Sequence, residues 1–237
     1  KFKFSKIYDL QNSNRTSFYK NILFKNSNKD VWSSSITTLP DNKTKEQFDK
    51  LSVLDRFEHQ LNASNLKTNH TKLPNFSWAC TDISKIKLIY NLDKYILLFP
   101  FCSPHLTIKK WPYYNDLIKK IRDNYNEQFK IVIAPGPMEI EASSKINAES
   151  ILDNGKALNI SQLSTLIKDS SFVISNDTGP AHIAAHLGVK GLSLFGSHTS
   201  PKLVSIERTN FKAIQVQDLS KLGADKVYER MVENLTK

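Results

Sequence analysis

No run of 18 apolar residues occurs in the 237-residue chain, so no helix of it is expected to span a membrane. Cysteine is scarce: Cys80 and Cys102 are the only two, and they are not spaced as metal ligands. They are expected to stay reduced in a cytosolic compartment. Glycine is scarce too, with seven residues, and none of them builds a Walker loop or a G-x-G-x-x-G fingerprint. A nucleophile elbow, zinc-finger spacing and the interleaved aromatic and basic residues of RNA-binding modules are also absent. No signal peptide, internal repeat or low-complexity tail is visible.

Positive charge is in excess. Lys and Arg number 33 against 23 Asp and Glu, for a formal charge of +10. That balance favours anionic partners such as nucleic acid, an acidic membrane surface or phosphorylated small molecules. The lysines are scattered rather than blocked, which reads as a generally solvated basic surface. With 40% hydrophobic and 24% charged residues, the chain is globular.

The most informative stretch is Ser171 to Gly188. Phe172, Val173 and Ile174 form the apolar run of a covered parallel strand. Asn176, Asp177, Thr178 and Gly179 are turn and N-cap residues, Pro180 suits a first helical turn, and Gly188 supplies a stop. A second strand, 191–195, follows and runs into Gly196 and Ser197. This predicts a helix N-terminus at the carboxyl end of a parallel strand, where open α/β sheets bind ligands and anions are favoured.

Elsewhere strands are predicted at 95–99, 130–134 and 213–216, and helices at 112–125, 139–146, 161–168 and 224–235. Their alternation implies βαβ units and a parallel sheet. Before residue 90 long apolar runs are few. Lys6 to Gln11 reads as the end of a strand, Arg15 to Phe24 as a short helix, and 26–45 as loop. Phe48, Leu51, Leu54, Phe57 and Leu61 recur every three or four residues and predict one amphipathic helix over 45–61.

Three segments could carry chemistry. In Asp177 to His182, Asp177 can accept hydrogen bonds from sugar hydroxyls, while Thr178 and Gly179 can offer backbone N–H groups to a diphosphate. His182 points back toward the same mouth; alternatively, Asp177 or Thr178 caps the helix and His182 packs in the core. In Phe99 to Pro112, Ser103, Thr107 and either Lys109 or Lys110 could bind phosphate. In Ala134 to Glu141, Glu139 or Glu141 could take a ribose hydroxyl. His182 and His186 have metal-pair spacing, but no third ligand follows and no metal is expected.

In this order the three segments resemble glycosyltransferase family 9, the heptosyltransferases of lipopolysaccharide core synthesis. The likeness rests on Asp177-Thr-Gly-Pro-Ala-His182, the Ala-rich helix with Leu187-Gly188, Leu194-Phe-Gly196, Pro100 with Ser103, and Lys109 with Trp111-Pro112. Asp9-Leu-Gln11 with Arg15-Thr16, and Asp55-Arg56-Phe57, resemble parts of the family's N-terminal, acceptor-side half.

The resemblance implies an α/β, GT-B-like architecture. Two Rossmann-like domains with parallel sheets would face across a cleft, an incomplete N-terminal one over 1–91 and a nucleotide-sugar domain over 92–237. It implies an ADP-activated sugar as donor and no cofactor. Ser103, Thr107, Lys109, Glu139, Asp177, Thr178, Gly179 and His182 would bind the donor, with Lys109, Asp177 and His182 also catalytic. Transfer would be inverting and metal-independent, to a lipid A or core oligosaccharide acceptor. The protein would be cytoplasmic, in possible peripheral contact with the anionic inner membrane, with no nucleic-acid partner. The chain opens on Lys1 rather than Met, so the family's general base is expected in a segment upstream, without which transfer is not expected. Two other readings remain open: an epimerase-like GT-B enzyme and a non-catalytic polyanion-binding module.

Overall fold

The fold is that of a computed structural model, which describes residues 4–24 and 31–235. The chain divides into two compact units, one spanning Lys1–Pro74 with Leu203–Ser205, the other Asn75–Lys202 with Ile206–Lys237. The boundary falls at Pro74, 17 residues before the expected one at 91. The turn Ser77–Ala79 and the helix Ser84–Ile89 therefore belong to the second unit. The opening Lys1 to Lys3 lies outside the described residues.

In the first unit, strands β1 (Ile7–Tyr8) and β2 (Trp32–Ser33) pair in parallel. Helix α1 (Asn14–Leu23) stands between them in sequence, its start fixed by a reciprocal capping box of Ser13 and Thr16. No residue of α1 is buried. β2 lies inside the stretch expected to be loop, since two residues are too short to show periodicity. The expected single helix over 45–61 is two: α2 (Lys45–Asp49) and α3 (Val53–Ala63). Ser52 takes extended dihedrals and caps α3 through Asp55 N–H, so the chain breaks where the apolar spacing runs on uninterrupted. Buried Gln60 on α3 donates to the carbonyls of Asp9 (2.9 Å) and Ser33 (3.2 Å), tying together the ends of both strands.

The second unit opens with α4 (Ser84–Ile89), which the sequence reading missed. It then runs β3 (Tyr95–Phe99), α5 (Tyr114–Tyr125), β4 (Lys130–Ile133), α6 (Ile140–Ser143), β5 (Glu149–Ser150) and α7 (Ile160–Lys168). It closes with β6 (Phe172–Asn176), α8 (Gly179–Leu187), β7 (Gly191–Phe195), β8 (Phe211–Gln215) and α10 (Ala224–Leu235), while the single turn α9 (Pro201–Val204) has its last two residues in the first unit's segment. The helix expected over 139–146 is only the single turn α6.

All six strands run parallel, in the order β5-β4-β3-β6-β7-β8. The order reverses between β3 and β6, as it does in doubly wound dinucleotide-binding sheets. β3, β6 and β7 are wholly buried, which is why β3 and the first three residues of β6 read as apolar runs; Ser175, Asn176 and Ser193 are the buried polar exceptions. Side chains alternate between faces. Ile96, Leu98, Phe172, Ile174, Leu192 and Leu194 pack with Leu117, Ile118 and Ile121 of α5 and Val227 and Met231 of α10. On α8, Ala181, Ala184 and Ala185 are buried, and small side chains let a helix lie close to its neighbours. Gly188 ends α8 in the left-handed region at φ 73°, which favours glycine. At Gly191 a Cβ would stand 2.6 Å from the Val173 carbonyl oxygen, so no side chain fits there.

Candidate functional site

At the carboxyl ends of β3 and β6 lies a cavity of about 430 Å³. Its walls are Phe99 at the end of β3, Phe101 to Ser103, Leu106 and Lys109 after it, Ala134 to Gly136 and Glu139 after β4, Leu158 before α7 and Leu163 on it, and Asp177 to Pro180 after β6.

Asn176 holds the two central strand ends together. Its fully buried side chain donates to the Pro100 carbonyl at 3.1 Å. Its amide oxygen accepts from the Trp111 backbone N–H and the Tyr114 hydroxyl, each at 3.3 Å. Trp111, itself buried, donates its indole N–H to the Leu222 carbonyl at 2.6 Å. The loop after β3 is thereby pinned to the turn after β6.

Asp177 is the electrostatic centre. Its side chain is only 5% exposed, and its Oδ2 accepts from Lys109 Nζ at 2.7 Å and from His198 Nε2 at 2.9 Å. His182 Nε2 stands 3.7 Å from Oδ1. Burial alone would push this carboxyl up. The contacts from His182, Lys109 and His198, with the charge of Lys109, outweigh it and hold Asp177 well below the usual carboxylate range. Asp177 also stands just before the N-terminus of α8, where the helix dipole favours negative charge.

No side chain caps α8. The Thr178 hydroxyl turns back to the Asn176 carbonyl at 3.3 Å and to Ser175 Oγ at 3.2 Å. Thr178 stands at the N-cap position in extended backbone, but neither its side chain nor that of Asp177 accepts from the helix; the Ala181 and His182 N–H groups donate to the Thr178 carbonyl at 3.0 and 3.4 Å. A Cβ on Gly179 would meet nothing within 4 Å, so this part of the wall is open.

The structure separates the expected residues. Ser103, Lys109, Glu139, Asp177, Thr178 and Gly179 line the cavity. Thr107 does not: it starts the short turn Thr107–Lys109 and is exposed, while the same turn carries Lys109 inward. His182 is off the cavity wall, beside Asp177. Glu139, not the exposed Glu141, faces the cavity, with its carboxylate accepting from Gly136 N–H at 2.8 Å. Lys110 is exposed and absent from the wall.

His186 is turned to other partners. Its ring stacks on Phe76 (centroids 5.7 Å, planes 16° apart), and its Nδ1 accepts from Arg208 at 3.3 Å. Arginine has no acceptor, so Nδ1 carries no proton. Among the described residues no group of three His, Cys, Asp or Glu is gathered to hold a metal ion.

Sequence reasoning missed His198. It lies three residues beyond β7, the strand paired with β6 in register Asn176 to Leu194. The available signal was a titratable residue in the loop next to the one carrying Asp177.

The family model of glycosyltransferase family 9 (heptosyltransferase) matches residues 33–229. The chain belongs to glycosyltransferase family 9. Solved structures of similar fold include Escherichia coli ADP-heptose LPS heptosyltransferase II, with TM-score 0.55, 19% identity, and coverage of 72% of this chain and 53% of that one. E. coli heptosyltransferase WaaC with ADP gives TM-score 0.59, 19% identity, and coverage of 78% and 57%. A family 9 glycosyl transferase of Veillonella parvula DSM 2008 gives TM-score 0.65, 14% identity, and coverage of 87% and 63%. The family 9 chain thus spans between about half and two-thirds of the length of these relatives. No curated protein matches it. Among the described residues no helix is long and apolar enough to cross a membrane.

Proposed function

We propose that the chain binds an ADP-activated heptose in the β3/β6 cavity and serves its inverting, metal-independent transfer to a lipopolysaccharide core acceptor. The observation that carries this reading is Lys109, held by Asp177 at the wall of the cavity that Thr178 and Gly179, at the start of α8, also line. That is a cation and the Gly179 N–H at an open helix start, placed where a diphosphate would sit, with the helix dipole behind them. The volume suits a nucleotide, and Leu158 and Leu163 offer an apolar wall for a base. Glu139 would meet a ribose hydroxyl.

In the transfer, an acceptor hydroxyl oxygen forms a bond to the anomeric carbon as the bond from that carbon to the β-phosphate oxygen breaks. The electron pair leaves with ADP, where Lys109 and the α8 dipole stabilise it. The hydroxyl proton passes to a general base. Asp177 does not fill that role: its carboxylate is committed to Lys109 and His198, and a carboxyl held so acidic is a poor proton acceptor.

The neighbour solved with ADP supports the nucleotide, and family membership supports the sugar transfer. A peripheral contact with an anionic membrane is supported by α1, which exposes Phe18, Ile22 and Leu23 beside Arg15 and Lys20. Sedimentation with anionic and neutral vesicles tests that contact, and equal binding to both refutes it. Isothermal titration with ADP and ADP-heptose, with and without EDTA, tests the main reading. Binding should survive EDTA and weaken at least tenfold in Asp177→Ala and Lys109→Ala. No binding, or equal binding by all three proteins, refutes it.

A further inference from the structure

Lys109 and His198 share one oxygen of Asp177, at 2.7 and 2.9 Å. The two are not equivalent. Lys109 lines the cavity and its side chain is 21% exposed. His198 is 10% exposed, lies flat on Phe195 (centroids 6.1 Å, planes 9° apart), and does not line the cavity. An ionised carboxylate only accepts, so His198 Nε2 is the donor in this contact. Its other nitrogen, Nδ1, is buried with no hydrogen-bond partner among the described residues. Nδ1 and the Ile108 carbonyl oxygen each lie 3.4 Å from the point where a Cβ on Gly196 would stand. The two therefore border a gap that exists because residue 196 has no side chain, and Ile108 is the neighbour of Lys109.

A diphosphate entering the cavity competes with Asp177 for the Lys109 ammonium. As Lys109 turns outward, a carboxylate only 5% exposed loses its nearest full positive charge. An uncompensated buried charge is strongly unfavourable. The titratable and charged groups around His198 are Asp177 from the β6–α8 turn, Lys109 from the turn after β3, and His182 from α8. Phe195 of β7 and Leu219 add only apolar surface. Of the two histidines, His182 is 35% exposed and 3.7 Å from the other carboxylate oxygen, and it neighbours His186, which Arg208 holds. His198 already holds the oxygen that Lys109 vacates.

We propose that His198 is a positioning residue that takes up a proton when the diphosphate draws Lys109 away, replacing it as the counter-charge of Asp177. The inference rests on the nucleotide-sugar reading above. The proton comes from solvent and adds to Nδ1; Nε2–H stays on Asp177. The Ile108 carbonyl borders the gap that Nδ1–H then faces. Donor binding is thereby coupled to proton uptake, and Asp177 stays in place while Lys109 is in use.

The test is isothermal titration with ADP-heptose, whose diphosphate diester has no ionisation of its own near neutrality. It is run between about pH 6 and about pH 8 in two buffers of different ionisation enthalpy. The wild type should take up between about half a proton and one, its affinity falling roughly three- to tenfold per pH unit. His198→Gln should bind without uptake and with a flat pH profile, whereas His182→Gln should keep the uptake. Binding by the wild type without uptake, uptake retained in His198→Gln, or uptake lost in His182→Gln each overturns the inference alone. Absence of any binding overturns the nucleotide-sugar reading and this inference with it. Should His198→Gln fail to fold, imidazole nitrogen NMR of the wild type decides. Nδ1 of one buried ring must gain a proton on adding ADP-heptose, and an unprotonated Nδ1 in the complex refutes the proposal.

Discussion

Replacing Lys109 by Met keeps most of the aliphatic stem and removes the ammonium that stands 2.7 Å from Asp177. At that distance, with an effective dielectric of 20, the gross attraction is roughly 6 kcal/mol. The net loss is smaller, because the desolvation cost of part-burying the ammonium disappears with it and Asp177 retains His198. Stranding one member of a buried pair costs about 3–5 kcal/mol. Partial exposure of Lys109 and the retained histidine bring the expected loss to about 2–3 kcal/mol at neutral pH.

The pH dependence of that loss follows from the carboxyl. Asp177 is held below its ordinary value of 3.8, so its contribution is complete above that pH and is lost as the pH falls beneath it. The carboxyl's share of the gap between wild type and Lys109→Met should therefore be present at pH 7 and shrink in acid, below about pH 4. Urea unfolding followed by tryptophan fluorescence reads the difference, Trp111 being buried against the Asn176 bracket. With a slope of about 2–3 kcal/mol per molar urea, the midpoint should drop by about 1 M. A variant that unfolds at the wild-type midpoint at pH 7 would show that the pair does not hold this loop, and the electrostatic account of the site would fail.

Three further outcomes are expected. Gly179→Ala places a methyl where no protein atom lies within 4 Å, so thermal stability should change by less than about 0.5 kcal/mol while ADP affinity in titration calorimetry falls at least tenfold. Burial, then the charges of Arg208 and His182, lower His186 from 6.5 to about 4, so folding stability should decline by roughly 2–3 kcal/mol as pH falls between those values. A urea series against pH should show that limb flattened in His186→Gln. Asn176→Ala leaves the Trp111 amide without its acceptor and the Pro100 carbonyl without its donor, and should cost about 2–4 kcal/mol in chemical denaturation.

The central strands of the second unit were legible because covered parallel strands are largely apolar on both faces, as Tyr95–Phe99 is and as Phe172 to Ile174 are. The turn Asp177 to Gly179 was legible because strand end, polar turn and helix start follow one another without a gap. Other features had no local signature. The break at Ser52 interrupts a continuous apolar spacing, and only its backbone dihedrals reveal it. β5 is two polar residues whose place depends on pairing with β4. Thr107 was chosen for its hydroxyl, but a three-residue turn cannot aim both Thr107 and Lys109 inward. His198 reaches Asp177 only through the neighbour relation of β6 and β7, which is a property of the sheet rather than of any segment.

The reversal of strand order between β3 and β6 has a consequence for how the protein acquires its binding crevice. The walls come from stretches more than 70 positions apart, and no shorter piece of chain contains them all. They meet only where the two middle strands pair, so the crevice exists only once that long-range pairing is made. A nucleotide lodged there staples distant stretches and resists their separation. Its presence should slow the melting of the entire second unit, far beyond the handful of atoms it touches.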